Sequence, residues 1–236
     1  MTTCTIVDTE TTSVDHATGS LVEVAWARFD LATAKVVDCH SFLVKRSRGE
    51  HGGADVHGIP EALATEHGIT TERAATLLCK ALDASICAVA HFADFDRKWF
   101  TDWPVAAKPW ADSNDFEWPR PIAGRSLTAV ALAHGVGVNA AHRAMDDVLT
   151  LARLLERCAE LGANVEDMVR RALRPKVKVQ ALVSYDDRDK AKDAGFQWVP
   201  ERKSWERSVF VDDVEKFSFR VRAIASHQVS PSVPHP

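Results

Sequence analysis

Residues 4–12 read Cys-Thr-Ile-Val-Asp-Thr-Glu-Thr-Thr, an apolar run with the two carboxylates of Asp8 and Glu10 where a buried strand is expected. Side chains alternate along a strand, so Ile6, Asp8 and Glu10 share one face. Two like charges this close raise each other's pKa unless a cation relieves them. A divalent metal is the usual relief, and ligands that are all oxygen favour Mg²⁺ or Mn²⁺. A strand end that reaches solvent also carries acids for no such reason, so Asp-x-Glu alone decides nothing.

Two later acids bear on the choice. Asp96 lies in Val-Ala-His-Phe-Ala-Asp-Phe-Asp-Arg-Lys-Trp-Phe, residues 89–100, where a short apolar strand at 86–90 runs into a turn and a helix. Asp147 opens a long amphipathic helix in which Met145, Val148, Leu149, Ala152, Leu155 and Ala159 recur at three- and four-residue steps. His142 precedes Asp147 by five residues, close enough for both to face one cleft. An acid at a helix start also complements the helix dipole, and a histidine there can act as a cap.

Asp-x-Glu, then Phe-Asp, then His-x4-Asp is a joint pattern, carried by residues 6–12, 91–100 and 126–148. It resembles the DEDDh 3′–5′ exonuclease superfamily over residues 1 to about 160. The resemblance implies an α/β, ribonuclease H-like mixed sheet flanked by helices. The implied activity is metal-dependent hydrolysis at 3′ ends of DNA, with RNA as the alternative, releasing nucleoside 5′-monophosphates. Asp8, Glu10, Asp96 and Asp147 would hold two Mg²⁺ or Mn²⁺ ions, with Asp8 the candidate bridge. Two such ions activate a water and neutralise the leaving oxyanion. His142 is the candidate general base, since imidazole titrates near neutral pH. Thr11, Thr12 and Phe92 are assigned to substrate contact. Phe92 is a departure: the superfamily usually has Asn between His91 and Ala93, and an aromatic there either stacks on a base or fills core.

The expected partner is single-stranded nucleic acid, with a DNA polymerase or repair protein as a further candidate. The competing reading is a nucleic-acid-binding or polymerase-accessory protein that uses the exonuclease fold as scaffold. Neither a span-length apolar run nor a basic start with an apolar stretch occurs, so no membrane span or signal peptide is expected. Five scattered cysteines without Cys-x-x-Cys read as reduced packing residues, which suggests the cytoplasm.

The rest of the first domain reads as strands near 21–30 and 34–44, a charged, glycine-rich loop at 46–57, helices near 70–83, 126–134 and 144–161, and an irregular stretch at 104–125. A last helix at 163–173 stops at Pro175, placing a domain boundary between 174 and 175. The second unit, 175–225, reads as α+β: a strand at 176–185, a helix at 186–194 closed by Gly195, and a hairpin from Trp198 to Trp205. Its Ala-Lys-x-Ala-Gly-Phe-x-Trp and Lys-Ser-Trp pattern is similar to a small bacterial and phage module. Residues 168–225 hold 14 Lys+Arg against 9 Asp+Glu, whereas residues 1–167 hold 15 against 24, so a polyanion would favour the second unit. Trp198 and Trp205 among these cations either stack on nucleic-acid bases or form the core of the unit. The tail at 226–236, rich in proline and serine, is expected to be disordered.

Overall fold

The computed structural model describes residues 1–49, 52–139 and 142–224. The expected disordered tail lies outside the described residues. By internal contacts the chain divides into two compact units, Met1–Leu173 and Arg174–Pro236.

The first unit is built on a five-stranded mixed sheet. Its elements in order are β1 (Thr3–Thr11), β2 (Leu21–Asp30), β3 (Lys35–Leu43), α1 (Ala54–His57), α2 (Glu61–His67), α3 (Thr71–Asp83), β4 (Ala88–Ala90), α4 (Ala93–Lys98), β5 (Trp110–Asp112), α5 (Leu127–Ala133), α6 (Ala144–Glu160) and α7 (Val165–Ala172). The strand order is β3-β2-β1-β4-β5. The early strands pair antiparallel, whereas β1–β4 and β4–β5 are parallel.

The pleat of β1 sorts its side chains between two cores. Cys4 and Ile6 join Phe29, Val89, Val148, Leu151 and Leu155 on the α6 side. Val7 joins Val24, Trp26, Leu78, Leu82 and Phe100 on the α3 side. Asp8 and Glu10 continue the Ile6 face, so the alternation of one strand aims both acids toward α6. Of the predicted α6 stripe, Val148, Ala152 and Leu155 are buried, while Met145, Leu149 and Ala159 are half-buried; the buried face also takes in Ala144, Leu151, Leu154 and Cys158.

Three stretches differ from expectation. The region 104–125 contains the edge strand β5 between two turns of 3₁₀ helix, Pro104–Ala107 and Ser113–Asp115. Three residues cannot display a two-residue period, and the surrounding prolines mask it. Residues 46–57 end in the four-residue helix α1, and α2 follows. Both helices are too short to show a helical repeat. Gly52 and Gly53 allow α1 to lie against the end of β1: a Cβ on Gly52 would come 2.5 Å from the Thr12 carbonyl oxygen, and Gly53 has φ +74°.

Among the described residues the second unit is a four-stranded antiparallel sheet with one α-helix. It comprises β6 (Lys176–Ala181), α8 (Arg188–Asp193), β7 (Gln197–Val199), β8 (Ser204–Phe210) and β9 (Val221–Ala223), ordered β7-β8-β6-β9. Val179, Ala181, Ala191, Phe196 and Val209 form its core. Gly195, at φ +77°, closes α8 as expected. Strand β6 stops at Ala181, four residues before the predicted end. There the Ser184 hydroxyl donates to the Asp187 carboxylate at 3.0 Å and accepts the Asp187 N–H at 3.2 Å, which closes a turn. Among the described residues no helix is long and apolar enough to cross a membrane.

Candidate active site

The C-terminal end of β1, the start of α4 and the start of α6 converge on a cleft of about 390 Å³. Asp8, Glu10, Asp96, Asp147, His142, Thr11, Thr12 and Phe92 all line it, so every predicted site residue shares one opening. Carboxylate oxygens of Asp8, Glu10 and Asp147 lie within 4.8 Å of one another. Asp96, in the first turn of α4 and 2% exposed, enters from the other side of β1. Its Oδ1 accepts from the Thr9 hydroxyl at 2.8 Å, which orients the carboxylate.

Negative charge is concentrated here, and the Arg143 cation beside Glu10 offsets only part of it. The cleft lining contains no Lys or Arg among the described residues. Burial, then Asp96, Asp147 and Glu10, holds the Asp8 carboxyl well above its usual range. Burial, then Asp147, Glu23 and Asp96, pushes Glu10 up to about 8. Burial raises Asp96 to about 7 against the opposing hydrogen bonds from Thr9. Asp147 is also raised, chiefly by burial, while the His142 N–H partly restores it. That N–H donates to Asp147 Oδ2 at 3.3 Å and ties the loop to the helix start. His142 sits at φ +67°, a left-handed conformation that histidine tolerates better than most residues.

The substrate-contact candidates differ in what they offer. The Thr11 hydroxyl donates to the Ser13 carbonyl at 2.9 Å. The Thr12 hydroxyl accepts the Ser20 N–H at 2.9 Å, so it braces the β1–β2 connection. Phe92 is 51% exposed, its ring 4.9 Å from that of His91 in an edge-on arrangement. It also holds φ +68°, where Asn is far more at ease than an aromatic. That is a physical reason for Asn at this position in other chains, and it leaves Phe92 an open aromatic face on the cleft.

Sequence reasoning missed the groups that hold these residues in place. Glu23 on β2, 2% exposed, faces Glu10 across the antiparallel ladder. Its carboxylate accepts from Arg143 Nε at 3.0 Å, Arg143 Nη2 at 3.1 Å, the Ala144 N–H at 3.1 Å and the Ser41 hydroxyl at 2.7 Å. It therefore caps the start of α6, the helix that carries Asp147. A bulge between Glu10 and Thr11 shifts the ladder beside this point. His57 on α1 and His91 before α4 also line the cleft. Burial depresses the His91 pKa; Nε2 reaches the Arg125 carbonyl at 2.7 Å and Nδ1 the Ser113 hydroxyl at 2.8 Å, which suits a neutral ring. Glu23 and His57 stand in no motif, and Arg143 fills an unspecified position of His-x4-Asp; only the burial of a charged residue on a central strand could have flagged Glu23.

The acidic cluster suits a divalent cation. The donors are all oxygen, they are close enough to share an ion, and their ionised forms are unfavourable without one.

Residues 5–155 match the family described as Exonuclease, and residues 177–224 match a domain of unknown function, DUF8626. A sequence search of curated proteins found no match. Solved structures with a similar fold include E. coli exonuclease I in complex with a dT13 oligonucleotide, at 17% identity and TM-score 0.59, covering 78% of this chain and 49% of that one. Exonuclease X in complex with 5′ overhanging duplex DNA aligns at 23% identity and TM-score 0.54, covering 72% and 99%. The nuclease domain of 3′hExo, a DEDDh family member bound to rAMP, aligns at 14% and TM-score 0.57, covering 69% and 94%. The chain spans about half the length of exonuclease I. With more than half its residues matched, and its acids gathered at the end of β1 in a ribonuclease H-like sheet, the chain belongs to the exonuclease family.

Proposed function

We propose that this chain is a 3′–5′ exonuclease that removes nucleoside 5′-monophosphates from single-stranded DNA ends, with RNA as the second substrate, using Mg²⁺ or Mn²⁺. The observation that carries the reading is the gathering of Asp8, Glu10 and Asp147 within 4.8 Å, with Asp96 and His142 in the same cleft. Exonuclease I bound to an oligonucleotide, exonuclease X bound to an overhang and 3′hExo bound to a nucleotide support nucleic acid as the ligand. Residues 1–174 would form the catalytic domain and 175–225 an appended module.

Asp8, Glu10, Asp96 and Asp147 would hold two divalent ions. When bound, these ions supply positive charge for the phosphodiester and acidity for a water. The remaining work belongs to the chain. Thr9 fixes the Asp96 carboxylate, and the Glu23–Arg143 pair fixes the helix start that carries Asp147. His142, at the mouth of the cleft, would take the proton of the attacking water. Phe92 would stack on a base near the scissile bond, and Thr11 and Thr12 would shape the floor beneath the terminal nucleotide.

Labelled single-stranded DNA, duplex DNA and RNA, incubated with the protein in Mg²⁺, Mn²⁺ or EDTA, test this reading. A 5′-labelled strand should shorten from its 3′ end in one-nucleotide steps, only with metal. Cleavage that persists in EDTA, or mononucleotides released from the 5′ end, would overturn it.

A further inference from the structure

Beyond the catalytic cleft, the second unit carries a groove of about 580 Å³ whose lining is aromatic and cationic. We propose that this groove binds single-stranded nucleic acid by stacking bases on Trp198 and Tyr185 while Arg188 and Lys203 hold phosphates. The choice of ligand class rests on the family membership of the first unit; the binding chemistry rests on the groove.

The two tryptophans are not equivalent. They oppose each other across β7 and β8, with ring centroids 5.6 Å apart. Trp205 packs against the core of the unit, whereas Trp198 remains 48% exposed. The first thus supports the second, and one of the pair presents a ring to solvent. Tyr185 is 79% exposed and extends the aromatic surface beyond the end of β6. Exposed rings on a unit this small cost solubility and add little to its core, so their placement calls for a ligand.

The cations are arranged around these rings. The Arg188 guanidinium lies 4.2 Å from the Tyr185 ring centroid, and its Nη1 donates to the Tyr185 carbonyl at 2.8 Å. Lys203 occupies the turn between β7 and β8 at φ +48°, a conformation that costs a lysine free energy and sets the direction of its side chain. Among the described residues neither Arg188 nor Lys203 makes an ion pair, and no Asp or Glu lines the groove. Neighbouring cations of the unit are instead spent on acids, as in Lys190–Asp187 and Arg202–Glu206. Rings that accept any base face, beside cations left for phosphate, match a single strand, whose bases are unstacked and reachable. A duplex hides those faces, and an acidic peptide would use the cations but leave the rings uncovered.

Fluorescence anisotropy of the full chain in EDTA provides the test, because the metal-free acidic cleft repels phosphates and leaves the groove to dominate binding. The probes are a labelled 20-nucleotide dT strand, the rU equivalent and an abasic strand with the same phosphates. The dT or rU strand should bind about tenfold or more tightly than the abasic one. Trp198→Ala and Tyr185→Ala should each weaken dT or rU binding by about tenfold and bring it toward the abasic value. Tyr185→Trp should restore it. Arg188→Gln and Lys203→Gln should each flatten the salt slope by about 0.7. Tyr185 is too exposed for its loss to unfold the unit, so its variant decides the matter even if Trp198→Ala is unstable. Equal affinity for abasic and base-bearing strands, or unchanged affinity in Tyr185→Ala, would overturn the proposal. Trp198→Ala should still hydrolyse a trinucleotide at the wild-type rate; if the wild type hydrolyses nothing, the exonuclease reading falls while the anisotropy still decides the groove.

Discussion

Replacing Glu10 by Gln should inactivate the protein and, without metal, stabilise it. Glu10 is 9% exposed, and its carboxyl is pushed up to about 8 from 4.5. The folded protein therefore holds a proton that the unfolded chain releases. The corresponding stability is fully present below pH 4.5 and is lost as pH rises through 8. At about 1.36 kcal/mol for each tenfold change in proton binding, the loss reaches roughly 3 kcal/mol by pH 7 and roughly 5 by pH 8.5. Gln removes the buried charge while keeping the shape. In EDTA at pH 7, Glu10→Gln should thus melt about 6–12 °C above the wild type, given about 2–4 °C per kcal/mol for a chain of this size. At pH 4 the two should melt together. Saturating Mg²⁺ should narrow the gap, since an ion at 100 times its Kd adds about 2.7 kcal/mol to the wild type and less to a chain lacking one ligand. Thermal melts of both proteins at pH 4, 7 and 8.5, with and without Mg²⁺, measure all of this. A wild type whose metal-free stability is flat across that range, or a variant no more stable at pH 8.5, would refute the electrostatic account.

Three further outcomes are expected. His142→Ala should lower kcat by about 10²- to 10⁴-fold while oligonucleotide affinity in Ca²⁺ stays constant; a matching loss of affinity would make His142 a binding residue. Glu23→Ala strands the buried Ala144 N–H and the Ser41 hydroxyl, so it should cost about 2–3 kcal/mol and lower kcat, and Glu23→Gln should recover much of both in urea titrations and turnover. Phe92→Asn relieves a left-handed aromatic residue and should stabilise the fold by about 1 kcal/mol, yet raise KM about fivefold or more by removing a stacking surface; a lower Tm with an unchanged KM would contradict both parts.

The grouping of these acids was legible in the chain because strand and helix periods are rigid. A two-residue period put Asp8 and Glu10 on one face, and the stripe of α6 set which way the start of that helix turns. Motif order supplied Asp96, since nothing local ties residue 96 to residue 8. The tertiary structure alone decided how these meet. Asp96 reaches the cleft only because β4 lies parallel to β1, and its orientation depends on Thr9, which points to the opposite face. Glu23 was invisible for a related reason. Its partners lie on the neighbouring strand and 120 residues further on, and a lone acid in an apolar strand reads as a solvent-facing residue until its burial is known. The edge strand β5 and the helices α1 and α2 escaped notice because each is shorter than the window over which its repeat can be recognised. In the second unit, composition named aromatics and cations without dividing their roles. The tertiary structure did that, packing a half-buried Trp205 against the core and leaving Trp198 more exposed, because only one of two facing rings can sit over the unit's small apolar centre.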